Sequence, residues 1–219
     1  YSINVLGDAT NLITIDGAGY TVTAFSPQTT GALNDAIFKL RGCAYVTIKG
    51  FVLKENPLNT TNETTAGTNN MTEWGVALLQ YSTIENKSIS LNKTYKNTFG
   101  IYSSNVHNDT AILGGSGATE FAGGNQGIKI YSNTISNVNI GIAAVGPNGA
   151  DNQSLGLDIG GNSATTGNSI TDFGFAPPTS SPSFSGLLRV NGIYLRNQIS
   201  YNVSYNTITS SNVVGAGTL

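Results

Sequence analysis

The chain has 219 residues, enough for one domain or at most two. Only 10% of the residues are charged, where about 25% is typical of soluble domains, so Asn, Ser, Thr and Gly must supply most of the polar surface. The net charge of −2 gives no electrostatic attraction to nucleic acid or to an anionic membrane. No apolar run approaches the ~20 residues that a membrane-spanning helix needs. We therefore expect neither nucleic acid as a partner nor a membrane span.

A first short motif recurs along the chain and combines a Ser or Thr, an aliphatic residue and a polar residue. Its copies are Thr14-Ile15-Asp16, Thr47-Ile48-Lys49, Ser88-Ile89-Ser90, Thr134-Ile135-Ser136, Ser169-Ile170-Thr171 and Thr207-Ile208-Thr209. A second motif, usually a Gly followed by alternating apolar residues, lies once between each neighbouring pair. Its copies are residues 36–40, 75–79, 100–102, 141–145 and 192–195. The spacing of roughly 33 to 46 residues is typical of solenoids and propellers.

The β-branched, alternating character of both motifs favours strands over helices. A propeller blade needs four antiparallel strands, but each unit here carries only two or three strand signals. A parallel coil fits better, since each turn lays its strands about 4.8 Å above those of the previous turn. We therefore predict that the central aliphatic residues of the first motif stack in one inward ladder: Ile15, Ile48, Ile89, Ile135, Ile170 and Ile208.

Asparagine precedes or follows many of these strands, at Asn56, Asn86, Asn92, Asn133, Asn137, Asn168, Asn206 and Asn212. Asn tolerates the left-handed backbone conformation of a sharp corner, and its amide hydrogen-bonds to neighbouring backbone. Coils stacked in register would align some of these side chains in an amide ladder. Solvated turn residues explain the same pattern, and the sequence leaves both interpretations open.

Segments such as Tyr45-Val46-Thr47-Ile48-Lys49-Gly50-Phe51, Tyr131-Ser132-Asn133-Thr134-Ile135-Ser136-Asn137 and Leu157-Asp158-Ile159-Gly160-Gly161-Asn162 resemble parallel β-helix repeats. Over about residues 11 to 212 the chain is similar to the pectate-lyase-like superfamily, and in character to the large secreted or surface β-helix proteins of bacteria. The resemblance implies an all-β fold, a right-handed parallel β-helix (solenoid) of about five coils with long loop insertions. We place the insertions at about 55–74, 103–126, 146–167 and 174–191. This fold hosts lyases, hydrolases, adhesins and stalks, so it leaves the activity open.

Residues 1–219 are expected to form a single parallel β-helix domain. The chain begins and ends inside or next to coil signals, with no capping helix before Thr14 or after Thr209, and solenoids need caps to stay soluble. We therefore predict that the chain is an excerpt of a longer protein, or that partners cover its end coils. Candidate partners are polysaccharide, other surface-protein segments and further copies of the chain, which would associate end to end through uncapped coils.

Members of this superfamily that hydrolyse polygalacturonate use clustered Asp residues, a Gly-His-Gly and an Arg-Ile-Lys, and none of these occurs here. Lyases of this fold use a basic residue as Brønsted base, usually with Ca²⁺ or a second cation. The candidates in this chain are Lys129, Arg189 and Arg196. No acidic cluster accompanies them in the sequence, so a solvated base on a strand is the simpler interpretation of each.

Metal binding has little support in the sequence. Oxygen ligands for calcium are available at Asn148, Asp151, Asn152 and Asp158. They match no known calcium loop, and a polar loop explains them equally. His107 is alone, and the single cysteine, Cys43, fits a small buried apolar residue. We therefore predict no catalytic, cofactor-binding or metal-binding residue, and no cofactor.

Three further features carry expectations. Trp74, the only tryptophan, should pack a loop onto the coil rather than stack on a sugar ring. Asp16 and Lys49 occupy the same position in consecutive copies of the first motif, which predicts an outward ion pair between coils. Asn-x-Ser/Thr triplets, which accept glycans in a glycosylating source, begin at Asn59, Asn62, Asn70, Asn86, Asn92, Asn108, Asn152 and Asn202.

Together these observations predict a non-catalytic structural or adhesive β-helix segment of an exported, extracellular or cell-surface protein, with glycans as candidate ligands. The alternative is an enzyme, a polysaccharide lyase or glycoside hydrolase acting on an acidic polysaccharide. A third hypothesis, ice or crystal binding, requires Thr14, Thr47, Thr134 and Thr207 to align on one flat face. We expect any specific function to lie in the loops, which a rigid scaffold positions.

Overall fold

The computed structural model describes residues 1–28, 35–40, 42–61, 70–78, 81–95, 98–104, 125–147, 153–174 and 190–210. Within these ranges every regular element is a β-strand. No helix in this part of the chain is long and apolar enough to cross a membrane. The expected all-β fold is confirmed.

The strands are short, and most contain only two to six residues. In chain order they are β1 (Ser2–Ile3), β2 (Ile13–Asp16), β3 (Thr21–Thr23), β4 (Ala36–Leu40), β5 (Val46–Lys49), β6 (Val52–Lys54), β7 (Trp74–Leu78), β8 (Thr83–Glu85), β9 (Ser88–Ser90), β10 (Phe99–Ser104), β11 (Lys129–Tyr131), β12 (Thr134–Ser136), β13 (Ile140–Val145), β14 (Ser154–Leu155), β15 (Asp158–Ile159), β16 (Ser169–Thr171), β17 (Asn191–Arg196), β18 (Gln198–Ile199), β19 (Asn202–Val203) and β20 (Thr207–Thr209).

The strands build three parallel sheets of six strands each, and β14 pairs with β18 beside them. Sheet I contains β1, β4, β7, β10, β13 and β17; sheet II contains β2, β5, β8, β11, β15 and β19; sheet III contains β3, β6, β9, β12, β16 and β20. The chain visits the sheets in the same order in every turn, which makes it a parallel β-helix with three sides. We call one strand from each sheet a level. From the first to the last strand of each six-stranded sheet the chain makes five full turns, in agreement with the predicted five coils.

The predicted single isoleucine ladder is wrong, because the six copies of the first motif are divided between two sheets. The inward column of sheet II is Ile15, Ile48, Ile84, Ile130, Ile159 and Val203. The inward column of sheet III is Val22, Leu53, Ile89, Ile135, Ile170 and Ile208. A Ser/Thr-aliphatic-polar triplet suits both sheets equally, since each short strand points one side chain inward and two outward.

The same division removes the flat threonine face. Thr14 and Thr47 lie in sheet II, where the next residues of their column are Thr83 and Lys129. Thr134 and Thr207, in contrast, belong to sheet III. The hypothesis of ice or crystal binding therefore loses the alignment that it requires.

Strand β15 lies inside the segment 146–167, which the sequence assigned to an insertion. It contributes a single inward side chain, Ile159, and Gly160 follows it directly with a φ of 100°. So short a strand next to glycine carries a weak sequence signal. The insertion at this level is therefore shorter than predicted.

The glycine of the second motif is required by the packing of the core. Gly75, Gly100, Gly141 and Gly192 each face an isoleucine of sheet III. A Cβ atom added to Gly100 would lie 2.4 Å from Cγ2 of Ile135 and 2.7 Å from the carbonyl oxygen of Gly141. Neither approach is tolerable without a shift of the backbone or of the isoleucine.

The second level shows how a larger residue is accommodated at the glycine position. Ile37 occupies it, as the pairing of its neighbours with Trp74 and Val76 shows. The sheet III residue of that level is Leu53, which has no γ2 methyl group. Both residues are buried, at 2% and 0% exposure. In levels three to six, the glycine of sheet I therefore leaves the space that the γ2 methyl group of the sheet III isoleucine fills.

An amide ladder runs along the corner between sheets II and III, which confirms the first interpretation of the asparagines for Asn133, Asn168 and Asn206. Nδ2 of Asn133 donates to Oδ1 of Asn168 at 2.9 Å, and Nδ2 of Asn168 donates to Oδ1 of Asn206 at 2.8 Å. Each amide also donates to a sheet II carbonyl oxygen, those of Ile84, Ile130 and Ile159 respectively. The ladder thus ties neighbouring levels together through the buried Asn133 and Asn168 and the half-buried Asn206.

A second apolar cluster lies on the other face of sheet I, separate from the core, and includes Trp74, Phe99 and Tyr102. Trp74 is 1% exposed and stacks on Tyr102 with 5.1 Å between ring centroids. The prediction that Trp74 packs rather than binds sugar agrees with this burial. Its place differs from the prediction, because it begins strand β7 instead of closing a loop.

Candidate functional site

An open groove of about 760 Å³ lies on the first two levels, where the chain passes from sheet III to sheet I. Three apolar side chains that line it are largely exposed: Tyr1 at 75%, Phe25 at 75% and Leu58 at 73%. Two charged residues, Asp35 and Lys39, also line it. Apolar walls with a few placed polar groups are the usual composition of a small-molecule site.

Hydrogen bonds hold the walls of the groove in place. The Glu55 carboxylate accepts from Nδ2 of Asn59 at 2.9 Å, and from the backbone N–H and Oγ1 of Thr72, each at 2.8 Å. Nδ2 of Asn59 also donates to the carbonyl oxygen of Phe25 at 2.8 Å. Nδ2 of Asn56 likewise donates to the carbonyl oxygen of Ala24, the residue before Phe25. The exposed Phe25 ring is therefore presented by a fixed backbone.

The charged residues of the groove are anchored as well. Asp35 is 9% exposed, and its backbone N–H donates to the Glu73 carboxylate at 3.2 Å. Glu73 is fully buried and accepts a second bond from the Tyr95 hydroxyl at 3.1 Å. The Lys39 ammonium lies 5.7 Å from the ring centroid of Trp74, within range of a cation–π interaction. The groove thus places a carboxylate and an ammonium group on rigid supports.

Sequence reasoning missed this groove. Its residues come from four stretches, 1–2, 23–28, 35–39 and 56–58, which only the stacking of levels brings together. One signal was available, the aromatic Phe25 directly before Ser26-Pro27, a pair typical of turns. That signal cannot by itself distinguish an exposed ring from a buried one.

Lys129, a candidate lyase base, lies exposed on the outer face of sheet II. Its partner in register on the next strand is Asp158, which the sequence proposed as a calcium ligand. Glu85 lies on the adjacent outer column, next to Tyr131. The sequence shows no acidic cluster beside Lys129, but stacking brings Asp158 and Glu85 to the strands on either side of it.

The Asp158 carboxylate is, however, engaged in structural hydrogen bonds. Its Oδ2 accepts from the Tyr131 hydroxyl at 2.5 Å, and its Oδ1 accepts from the Gly161 N–H at 3.0 Å and from Nδ2 of Asn202 at 2.8 Å. Burial, the bond to Asp158 and the charges of Asp158 and Glu85 raise the pKa of Tyr131, so its phenol stays protonated at neutral pH. Asp158 therefore orders the turn after β15, and the protonated Tyr131 phenol serves as a hydrogen-bond donor to it.

The other predicted residues are dispersed or lie outside the described residues. Arg196 ends β17 in sheet I, half-buried and in register with Val145, so it does not join Lys129 on sheet II. The candidates that fall outside the described residues are His107, Asn148, Asp151, Asn152 and Arg189. Within the described ranges no group of three or more His, Cys, Asp or Glu residues could hold a metal ion. Cys43 is buried as predicted, and its thiol donates to the carbonyl oxygen of Ile3.

The predicted ion pair between Asp16 and Lys49 is confirmed, with 3.4 Å between Oδ2 and Nζ. The two side chains are 50% and 35% exposed, so the pair lies on the surface of sheet II. The Asp16 carboxylate also accepts the Ala18 N–H at 2.9 Å, and this bond is the main reason that its pKa lies below the ordinary value. The pair joins the first two levels.

Lys87 is a buried charge that the sequence did not reveal. It holds the corner position that Asn133 holds one level later, and it is 2% exposed. Its Nζ lies 4.8 Å from the Phe51 ring centroid and 5.8 Å from that of Phe38, and it makes no hydrogen bond within the described part of the chain. Burial lowers the pKa of Lys87 to about 7, against the opposing charges of Asp16 and Glu85. In the sequence, Asn86-Lys87-Ser88 is typical of an ordinary polar turn.

No protein-family model, curated protein or solved structure matches this chain. The chemistry of the groove and of the sheet II face therefore follows from their own residues. The groove offers exposed apolar surface on a fixed backbone, which suits binding. The outer face of sheet II offers one exposed base beside a carboxylate that structural bonds already engage.

Proposed function

We propose that this chain is a structural or adhesive β-helix segment of an exported, cell-surface protein, and that its groove binds a glycan. The observation that carries the proposal is the exposed ring of Phe25, which lies beside polar groups in the same groove. Asn56 and Asn59 fix its backbone by hydrogen bonds to carbonyl oxygens. Sugars present apolar C–H faces to aromatic rings and hydroxyl groups to amides and carboxylates. The low charge and the Asn-, Ser- and Thr-rich surface fit a neutral, hydroxyl-rich ligand better than a polyanion.

The resemblance to the pectate-lyase-like superfamily supports the same placement outside the cell, since surface and secreted proteins are common among such β-helices. The rigid three-sided scaffold suits a stalk or an adhesin, because it presents loops at fixed positions. Fold alone does not decide between these roles and an enzyme. The groove makes the adhesive role testable.

The test is a titration of the chain with neutral and uronate-containing oligosaccharides by calorimetry. Phe25→Ala removes the exposed ring, and Tyr20→Ala is the matched control, since Tyr20 is 76% exposed and does not line the groove. A stacked aromatic contributes about 0.5–1.5 kcal/mol, so Phe25→Ala should weaken binding roughly two- to tenfold. Equal affinities of Phe25→Ala and the parent chain, or no binding of any oligosaccharide, would contradict the proposal.

The alternative function is a polysaccharide lyase or glycoside hydrolase acting on an acidic polysaccharide. The observation in its favour is the exposed Lys129, which lies in register with Asp158 on the next strand and has Glu85 on the adjacent column. Incubation with pectin, alginate and chondroitin would reveal a lyase by the ultraviolet absorbance of new unsaturated ends. Activity that Lys129→Gln abolishes, while Lys54→Gln retains it, would replace the adhesive proposal.

Self-association through the end coils is a second property that we propose for the segment. The last level exposes Val203 at 40% and Ile208 at 44%, the residues that continue the two inward columns. No described strand pairs with the outer edges of β19 and β20, and parallel edges of this kind accept further strands. Sedimentation velocity over a range of concentrations should show oligomers that Ile208→Lys reduces, and a concentration-independent monomer would contradict this part of the proposal.

A further inference from the structure

The Asn-x-Ser/Thr triplets are sequence features that the proposed function leaves unused. Five of them begin in the described part of the chain, at Asn59, Asn70, Asn86, Asn92 and Asn202. Attachment of a sugar requires an exposed side-chain amide whose Nδ2 is free to react. The structure separates the five asparagines by these two requirements.

Four of the five fail at least one requirement. Asn59 is 1% exposed, and its Nδ2 already donates to Phe25 and Glu55. Asn202 is exposed, but its Nδ2 lies within 2.9 Å of Asp158, Gly161 and Ser204 acceptors. Asn70 and Asn92 are half-buried, and their side-chain oxygens accept backbone N–H groups that hold the amides against the chain.

Asn86 meets both requirements. It is exposed, and its side chain makes no hydrogen bond to the described residues. Its φ of 51° places it at the left-handed corner between β8 and β9, where the chain bends around the edge of the coil. Ser88, the third residue of the triplet, is exposed on β9.

The neighbouring levels leave room for a bulky group at this corner. The residues in register with Asn86 are Gly50 on the level before and Ser132 on the level after, as the pairing of β8 with β5 and β11 shows. Gly50 has no side chain, and the Ser132 hydroxyl is turned to the carbonyl oxygen of Thr165 at 2.8 Å. A sugar on Asn86 would therefore extend outward between two small residues.

We infer that Asn86 is an acceptor site for an N-linked sugar on the folded protein. In the reaction, Nδ2 forms a bond to the anomeric carbon of a sugar carried by a nucleoside or polyprenyl diphosphate. The bond from that carbon to the phosphate oxygen breaks, the phosphate leaves with the electron pair, and the amide loses one proton. A separate transferase supplies the catalysis, and this chain supplies an accessible acceptor.

The experiment treats the purified, folded chain with a soluble asparagine glucosyltransferase and UDP-glucose, and locates the added hexose by peptide mass mapping. We expect a hexose on the peptide that contains Asn86. It should be lost in Asn86→Gln and retained in Asn202→Gln, the matched control at an exposed asparagine whose amide is engaged. Circular dichroism of both variants confirms that they fold.

Synthetic peptides spanning residues 82–92 and 198–208 serve as the unfolded reference, because trypsin would cut the Asn86 triplet after Lys87. In these peptides both Asn86 and Asn202 should accept the sugar, so that selectivity in the intact protein reports the fold. An intact protein that is modified at Asn202 as fast as at Asn86 would overturn the inference. So would an unmodified Asn86 in the folded chain when the Asn86 peptide is modified.

Discussion

Replacing Lys87 with methionine should remove a strong pH dependence of the protein's stability. Methionine reproduces the four-atom stem of the lysine side chain between Phe38 and Phe51, and its sulfur packs well against aromatic rings. The substitution removes only the ammonium group and its titration. It therefore isolates the cost of holding this charge in the interior.

The sign and size of the effect follow from the pKa of Lys87, which burial lowers from 10.5 to about 7. Between these values the unfolded chain binds one more proton than the folded chain, so the free energy of unfolding rises with pH. One pKa unit corresponds to about 1.4 kcal/mol, so the parent protein should gain about 3 kcal/mol between pH 7 and pH 10. Below pH 7, Lys87 is protonated in both the folded and the unfolded chain, and the folded protein bears the full free-energy cost of the buried charge.

Urea unfolding followed by the fluorescence of Trp74, the single and buried tryptophan, provides the measurement. Lys87→Met should be more stable than the parent at pH 7, and the difference should shrink by about 3 kcal/mol as the pH reaches 10. Lys54→Met, at an exposed lysine on β6, is the control and should follow the parent. Burial also raises the pKa of Tyr102, but this tyrosine is common to all three proteins. Parallel pH profiles of Lys87→Met and the parent would refute the reasoning.

Two further substitutions test the packing of the coil, each by the same unfolding measurement. Gly100→Ala should cost about 1–3 kcal/mol, because the new methyl group meets Ile135 and the Gly141 carbonyl oxygen. Adding Ile135→Leu should recover part of the loss by removing the γ2 methyl group, and a Gly100→Ala protein as stable as the parent would contradict the packing described. Asn168→Ala should cost about 1–3 kcal/mol, because it leaves the buried backbone N–H of Asn133 without a partner and leaves the carbonyl oxygen of Ile130 with the Gly160 N–H alone. Asn206→Ala should cost less, since Asn206 is only half-buried and water can replace its bonds; equal losses at the two positions would argue against the ladder.

The fold could be predicted from the sequence because its repeat is carried by local patterns. Each short strand has one aliphatic residue between polar ones, and this pattern is visible without knowledge of the neighbours. The assignment of strands to sheets could not be predicted in the same way. Ile48 and Ile89 lie in equivalent triplets, yet one belongs to sheet II and the other to sheet III, and only hydrogen bonding between levels separates them.

The candidate sites depend still more on contacts between levels. Lys129 and Asp158 are one full turn of the coil apart in the sequence but lie side by side on sheet II. The Asn59 side-chain amide donates to the Phe25 carbonyl oxygen, a hydrogen bond that no local pattern encodes. Lys87 looks like a solvated turn residue until the rings of Phe38 and Phe51 are placed around it. Burial of individual polar side chains is a property of the stack, and a single sequence does not display it.

The change of residue type along the corner between sheets II and III has a consequence for how the protein unfolds. Levels four to six share an amide ladder, whereas the corner residues of levels two and three are Phe51 and Lys87. Because each level of a solenoid contacts only its neighbours, such a change in the coupling between levels marks a boundary between cooperative units. Asn133 still bonds to level three, through the Lys87 N–H and the Ile84 carbonyl oxygen, so the protein is expected to behave as two blocks that meet between Phe51 and Lys87. The block without the ladder should exchange its amide hydrogens first.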